Sequence, residues 1–338
     1  MDLSVIIPTH RRAEKLAACV ASLAGQELDG SFEVLVGVDG PEDPPGLTQR
    51  AAIAAWAGDV RLHVEQCEQQ GQAAVRNRLL GLARGTTLVF LNDDMIPAPG
   101  LLAAHLAAQR ACESFGRSAL VVGHAPWVVH EPDRLFNRLV RETSMVFFYD
   151  RMNQARDDRD RDWGFRHAWL LNLSAPAALL REVGGFTVFP STYGYEDDEL
   201  AYRLHQRFAT RVLYRPEAIA QHDHRMEPAE YLAREHRLGY AAWGFAKTAP
   251  ACARAMFARD VTSDDEIKYA QQFVERERSM AQRLESSFST LADLPADCVS
   301  GRDQNRLIDL IYQQHLLLKR WHWRKGLLQA AQSEAPFA

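Results

Sequence analysis

The sequence predicts an α/β chain: a mainly parallel sheet flanked by helices, followed by a helical C-terminal extension. Three observations predict it. Over the first ninety or so residues, short continuous apolar runs alternate with stretches of helical spacing, and such alternation builds parallel sheets joined by right-handed crossovers. The runs end on Asp, Asn, Gly and Pro, which places their polar side chains along the edge where open α/β sheets bind ligands. From about Glu227 strand signals stop and helical patterns continue to the end.

Taken in order, Ser4-Val5-Ile6-Ile7-Pro8-Thr9 has its apolar residues, Val5 to Pro8, continuous instead of alternating, the mark of a strand buried on both faces. Leu16, Cys19, Val20 and Leu23 recur at helical spacing, with Gly25 as the stop. Phe32 to Val38 is a second strand, cut off by Asp39-Gly40-Pro41. A helix near Leu47 to Trp56, a strand near Arg61 to Glu65, a helix near Gln72 to Ala83 and a strand at Thr87 to Leu91 complete the alternation. After Gly100 a helix runs to about Glu113, and Ala119 to Val122 is a strand. Ala168 to Ser174 is expected as a strand, Pro176 to Val183 as a short helix, and Val212 to Tyr214 as a late strand. The mixed-sign run Asp157 to Asp162 is expected as a solvated loop.

Composition narrows the function. The 338 residues are 47% apolar and 25% charged with a net charge of -5, an ordinary globular balance that argues against general nucleic-acid binding. No apolar run reaches the roughly 18 to 20 residues of a membrane span, and Met1-Asp2-Leu3 leads directly into a strand, so a cytoplasmic protein is expected. Five scattered cysteines with no CxxC pair point to neither disulfides nor a thiolate zinc site. GxGxxG and GxxxxGK[ST] are both absent, which argues against dinucleotide and P-loop enzymes.

Four stretches carry candidate chemistry. Leu91-Asn92-Asp93-Asp94 puts two carboxylates where a buried strand runs out, either as a divalent-metal site against a phosphate-bearing ligand or as a strand-end turn. Gly71 to Asn77 opens a helix at the same predicted edge. Glu196-Asp197-Asp198-Glu199 begins another helix; acids there favour the helix dipole, yet four in a row repel one another. His222-Asp223-His224 ends an apolar run with two imidazoles around an acid, open to metal ligation or to a structural role. The last helix, His315 to Ala331, mixes Trp321 and Trp323 with Lys319, Arg320, Arg324 and Lys325. Such a helix either packs on the protein or lies on an anionic membrane surface.

With these residues in place, residues 1–245 resemble a family 2 glycosyltransferase of the GT-A fold. The resemblance rests on Ser4 to Thr9, on Gly71-Gln72-Ala73-Ala74-Val75-Arg76-Asn77, on Asn92-Asp93-Asp94, and on Gly184-Gly185-Phe186 followed by Glu196 to Leu200. It implies a glycosyltransferase domain over residues 1–230, with a nucleotide-binding half (1–120) and an acceptor-binding half (121–230), and a helical extension over 231–338. It further implies that Pro8, Thr9 and Asp39 line the nucleobase pocket, that Arg76 lies beside the nucleotide, and that Asp93 faces the ribose or donor sugar. Asp94 would hold Mn²⁺ or Mg²⁺, completed by His222 or His224; Asp197 would be the catalytic base, and Glu196 would hold substrate hydroxyls. Two positions depart from the family pattern: Val38 precedes Asp39 where many relatives pair acids, and Asn92 stands where they often have Asp.

The reaction so implied is a single inverting displacement. A nucleotide sugar, a UDP-sugar first among them, would donate to a hydroxyl of a glycan, lipid-linked or other acceptor. No QxxRW motif is present, so transfer of one or a few sugars is expected rather than processive synthesis. Contact of the last helix with a membrane, at its cytoplasmic face, and self-association are open alternatives. A nucleotidyltransferase making nucleotide sugars and a noncatalytic nucleotide-sugar-binding protein are the competing readings.

Overall fold

The computed structural model describes residues 1–42, 44–57, 61–191 and 193–334; the last residues of the expected extension, 335–338, lie outside the described residues. The elements, in chain order, are β1 (Leu3–Thr9), α1 (Ala13–Ala24), β2 (Phe32–Asp39), α2 (Leu47–Ala55), β3 (Arg61–Cys67), α3 (Gln72–Leu82), β4 (Thr87–Leu91), β5 (Met95–Pro97), α4 (Leu101–Ser114), β6 (Ala119–His124), α5 (Leu135–Glu142), α6 (Tyr149–Gln154), β7 (Asn172–Pro176), α7 (Ala177–Glu182), α8 (Glu196–Phe208), β8 (Arg211–His222), α9 (Pro228–Thr248), α10 (Pro250–Phe257), α11 (Asp264–Ser289) and α12 (Gln304–Glu334). The chain divides into two compact units. One comprises Met1–Val128, Met152–Val188 and Glu196–His224; the other comprises Val129–Arg151, Phe189–Tyr195 and Arg225–Ala338.

Among the described residues the first unit holds the eight strands, in the order β3-β2-β1-β4-β7-β6-β8-β5. The pairs β3/β2, β2/β1, β1/β4 and β6/β8 are parallel, whereas β4/β7, β7/β6 and β5/β8 are antiparallel. The continuous apolar runs account for the centre: β1 and β4 are buried along their whole length. β3, at the edge, is instead half-exposed and carries Arg61, His63 and Glu65, charges that discourage pairing with another chain.

Two expectations shift. The apolar residues from Ala168 to Leu171 precede the strand rather than form it, because pairing with β4 begins only at Asn172 opposite Leu91. The late strand is much longer than Val212–Tyr214 and runs through to His222. Pro216, which has no N–H to give a ladder, sits where the register jumps from Gly123↔Arg215 to His124↔Ile219, and this irregularity hides the strand's continuity from the sequence. Gly123 is required there: a Cβ on it would come within 2.3 Å of the Ala218 carbonyl oxygen and 2.4 Å of Asn172 Nδ2.

The second unit is helical. Ser263 caps α11, its Oγ accepting from the Glu266 N–H at 3.3 Å, and Pro228 and Pro250 open α9 and α10 where a missing N–H costs nothing. α9 and α12 touch backbone to backbone through two glycines. A Cβ on Gly239 would lie 1.8 Å from the Trp323 carbonyl oxygen, and one on Gly326 would lie 2.0 Å from that of His236. The basic, tryptophan-bearing stretch of α12 is taken up inside this unit. Trp321 is buried and donates to the Val274 carbonyl at 3.0 Å, and the Arg324 guanidinium lies 4.6 Å from the Phe273 ring centroid. Among the described residues no helix is long and apolar enough to cross a membrane.

Candidate active site

Strand order decides which residues meet. β1 lies between β2 and β4, so the ends of these neighbouring strands bring Thr9, Asp39 and the turn Asn92-Asp93-Asp94 to one edge. Thr9 Oγ1 donates to Asp93 Oδ2 at 2.7 Å. Arg12, in the turn that leaves β1, spans both acids: Nη1 is 3.0 Å from Asp93 Oδ1, and Nη2 pairs with Asp94 Oδ2. Pro8 is buried in β1 beside Thr9, opposite Gly37 of β2.

The second histidine-bearing wall comes from β8. Its antiparallel pairing with β5 sets Met95 opposite His222, just after the acidic turn. His222 Nε2 is 3.4 Å from Asp94 Oδ2. The Asp223 N–H donates to the Asp94 carbonyl at 2.8 Å, and Lys15 of α1 reaches Asp223 Oδ2 at 2.6 Å. The Trp127 ring centroid lies 4.2 Å from that of His222, and the His224 ring stacks on His222 with centroids 5.8 Å apart.

The two neighbouring acids are held in opposite states. Burial pushes the Asp93 carboxyl up to about 6, with the Asp94 charge adding to the rise and Arg12 opposing it. Burial acts on Asp94 in the same sense, but His222 and Arg12 together outweigh it and hold this carboxyl far below the usual range. Asp94 Oδ1 is buried with no hydrogen-bond partner among the described residues. An oxygen in that condition, beside an imidazole, suits a divalent ion that takes mixed O and N donors. The described residues contain no cluster of three or more His, Cys, Asp or Glu side chains able to hold a metal, so Asp94 and His222 fit an ion whose other positions go to ligand oxygens and water.

Arg76 joins this turn to α8. It is buried on α3, with Nη2 2.9 Å from Gln72 Oε1 and 3.5 Å from Asn92 Oδ1, and Nη1 3.4 Å from Glu196 Oε1. The neighbouring Asn77 clamps the Gly184-Gly185-Phe186 turn, donating to the Phe186 carbonyl at 2.8 Å and accepting from its N–H at 2.7 Å. Asp197 follows Glu196 in the first turn of α8 and accepts from the Leu170 N–H at 3.4 Å. Asp39 receives the N–H groups of Gln70 at 2.9 Å and Gly71 at 3.2 Å, which ties the end of β2 to the start of α3. The structure thus joins Thr9, Asp93, Asp94 and His222 directly and links Arg76 to Glu196.

The four acids of α8 are not equivalent. Glu199 is buried and structural: it pairs with Arg203 at 2.6 Å and accepts from Thr187 Oγ1 at 2.9 Å, while Arg203 also donates to the Val183 and Gly185 carbonyls. Burial and the charges of Asp197 and Glu196 push the Asp198 carboxyl well above its ordinary value. Sequence reasoning overlooked Arg12, Lys15 and Trp127. Arg12 was legible in principle, because it lies in the turn of a strand adjacent to the acidic one; Trp127 was not, since it reaches the edge through an isolated bridge to His222.

Comparison with known proteins bears on this edge. Residues 4–159 match the model of the glycosyl transferase family 2. The chain is 31% identical over 234 residues to validoxylamine A glucosyltransferase of Streptomyces hygroscopicus, covering 60% of this chain and 51% of that protein. It is 30% identical over 262 residues to a pre-mycofactocin glycosyltransferase of Mycobacterium tuberculosis, covering 74% and 49%. The chain therefore spans about half the length of these relatives. In fold it resembles a mannosyltransferase of Pyrobaculum calidifontis solved with GDP-Man and Mn²⁺, with a TM-score of 0.52 at 18% identity over 98% of this chain and 86% of that one.

Proposed function

Since the chain belongs to glycosyl transferase family 2 and has the GT-A fold, we propose that it moves a sugar, with inversion, from a nucleoside-diphosphate sugar to an acceptor hydroxyl. The observation that carries the reading is the Asp94 carboxylate: buried, charged, paired with His222 and Arg12, and left with one oxygen unpartnered. A UDP-sugar is the favoured donor, with Asp39, Pro8 and Thr9 at the base and Asp93 toward the ribose or sugar. Support for a nucleotide there comes from the loop at Gln70 and Gly71, whose N–H groups hold Asp39 at the mouth of the edge.

Asp94 and His222 are the residues that would hold Mn²⁺ or Mg²⁺. A bound ion supplies Lewis-acid neutralisation of the charge that grows on the departing diphosphate. Arg12 complements it: its side chain is 40% exposed, so its guanidinium can turn from the two acids toward phosphate oxygens without unpacking a core. Asp197 takes the proton from the acceptor hydroxyl as that oxygen attacks the anomeric carbon. Glu196, held by Arg76, positions hydroxyls of the substrate. Of the two acids, Asp94 keeps its charge to the lower pH, because His222 and Arg12 hold it ionised while burial raises Asp93.

A thermal-shift panel of nucleoside diphosphates, each with and without Mn²⁺, tests the donor site, because a ligand that binds only the folded chain must raise its stability. The expected result is stabilisation by UDP that requires Mn²⁺. No stabilisation by any nucleoside diphosphate under either condition sinks the reading. Release of free sugar from the stabilising donor separates an enzyme from a binding protein.

A further inference from the structure

The parallel pair β6/β8 has a second end, opposite the one that carries His222, and a cavity opens there. Its volume is about 70 Å³, and it is lined by Cys112, Phe115, Arg117, Asp160, Arg211 and Arg215 among others. Arg211 and His222 are the two ends of one strand of 12 residues, on the order of 30 Å apart by strand rise. The cavity therefore shares no residue with the edge described above.

Its charge is unbalanced. Arg215 is buried, yet its guanidinium meets only backbone carbonyls, those of Arg159 at 2.8 Å and Tyr214 at 2.9 Å. Arg211 likewise pairs with a carbonyl, that of Asp160. Among the described residues neither guanidinium is ion-paired with a carboxylate. The single lining acid, Asp160, has a side chain 80% exposed and stands 3.9 Å from Arg117, and the nearby Glu217 is engaged by Arg159. Three cations thus line the cavity with one largely exposed anion, which among the described residues pairs with Arg117 alone. Buried charges are ordinarily paired, because an uncompensated one is costly; burial and the Arg159 charge accordingly pull the Arg215 guanidinium below its ordinary pKa.

We propose that this cavity binds a phosphate-sized oxyanion, held by the guanidinium groups of Arg117, Arg211 and Arg215. The planar forks of three arginines match tetrahedral oxyanions. The space holds several water molecules and so admits a phosphoryl group but not a nucleoside. Phe115, 74% exposed, and Arg117 stand at the rim, so the anion enters from solvent.

Isothermal titration of the full chain with inorganic phosphate, at an ionic strength matched with chloride, tests the site. Replacement of buried Arg215 endangers the fold, so the informative variants are Arg117→Gln and Arg211→Gln, with Arg12→Gln as the comparison at the other end of the sheet. The expected result is saturable binding that weakens by about tenfold or more in Arg211→Gln, less in Arg117→Gln, and stays unchanged in Arg12→Gln. Absence of saturable binding overturns the proposal, as does loss of binding in Arg12→Gln or an unaltered affinity in Arg211→Gln. Repeating the titration with a sugar phosphate identifies the source: equal affinity supports recognition of a phosphoryl group at the end of a larger molecule, and weaker affinity supports the free ion.

Discussion

His105 and His222 lie in the same unit, one fully buried and the other 7% exposed, and their imidazoles are partnered in opposite ways. His105, on α4, has Nε2 2.8 Å from Asn172 Oδ1 and Nδ1 3.0 Å from Ser174 Oγ. The Asn172 amide nitrogen donates to the His124 and Ala218 carbonyls, so its oxygen is free to accept from Nε2–H. Gln109 donates to Ser174 Oγ at 3.0 Å, which leaves that hydroxyl to donate to Nδ1. Every polar atom of this network has a use, and the ring is neutral with its proton on Nε2. His222 instead faces a carboxylate that keeps an oxygen unpartnered. A closed network fixes a fold, whereas an incomplete one retains capacity for a ligand.

The contrast is sharpest under substitution. Asp197→Asn tests the base proposed for the open edge: transfer should fall by about 10³-fold, since the loss of a general base costs about 10² to 10⁴. Donor binding, followed by UDP titration with Mn²⁺, should persist, and so should the urea midpoint. Equal transfer rates in variant and parent would contradict the role given to Asp197.

Acid acts next, and on the closed network. Burial lowers the His105 pKa from 6.5 to about 4, so between those values the unfolded chain binds more protons than the folded one. The stability this residue contributes is fully present above pH 6.5 and is lost as pH falls toward 4, by about 3 kcal/mol at the limit. His315, in the helical unit, is lowered to about 4 by burial as well and adds to the same window. Urea midpoints measured from pH 7 to pH 4 should therefore fall steeply, and His105→Gln should remove one proton's share of the slope. An unchanged slope in that variant would show that His105 is not held neutral.

Within α8 the same distinction separates neighbouring acids. Glu199→Gln breaks a pair with Arg203 whose carboxylate is buried, at a cost of about 2 kcal/mol, less than for a fully buried pair because the Arg203 side chain is 27% exposed. Activity per folded molecule should survive. Glu196→Gln should raise KM as well as lower the urea midpoint, because its partner Arg76 has a side chain only 3% exposed.

Much of this was legible in the chain itself. Continuous apolar runs announced β1, β2 and β4, and the acids and glycines that ended them marked one shared edge of the sheet, because strand ends in a parallel sheet share a side. What was hidden depended on contacts distant in sequence. Pro216 and the register shift at Gly123 masked the length of β8, and nothing local marked residues 129–151 and 189–195 as part of the helical unit. The separate fates of Glu196 and Glu199 rest on partners at residues 76 and 203, and only the second is a helical neighbour. Arg12 went unremarked until strand order put it beside Asp93 and Asp94.

Asp94→Asn should have the smallest effect on stability, and for that reason it tests the comparison most directly. Asp94 is as buried as a core residue, 5% exposed. A core polar group with all its bonds made, such as Asn172, cannot be changed without stranding several partners, at about 1 to 3 kcal/mol for each group left unsatisfied. Asp94 Oδ1 has no hydrogen bond to lose among the described residues, and loss of the Oδ2 pairings with His222 and half-exposed Arg12 is offset in part by relief of the repulsion from Asp93. Without metal the loss of stability should stay at about 1 to 2 kcal/mol. Stabilisation by UDP with Mn²⁺, present in the parent, should vanish. A loss of several kcal/mol in the ligand-free protein would mean that this carboxylate is a structural member of the edge, and that the incomplete bonding at Asp94 is not reserved capacity.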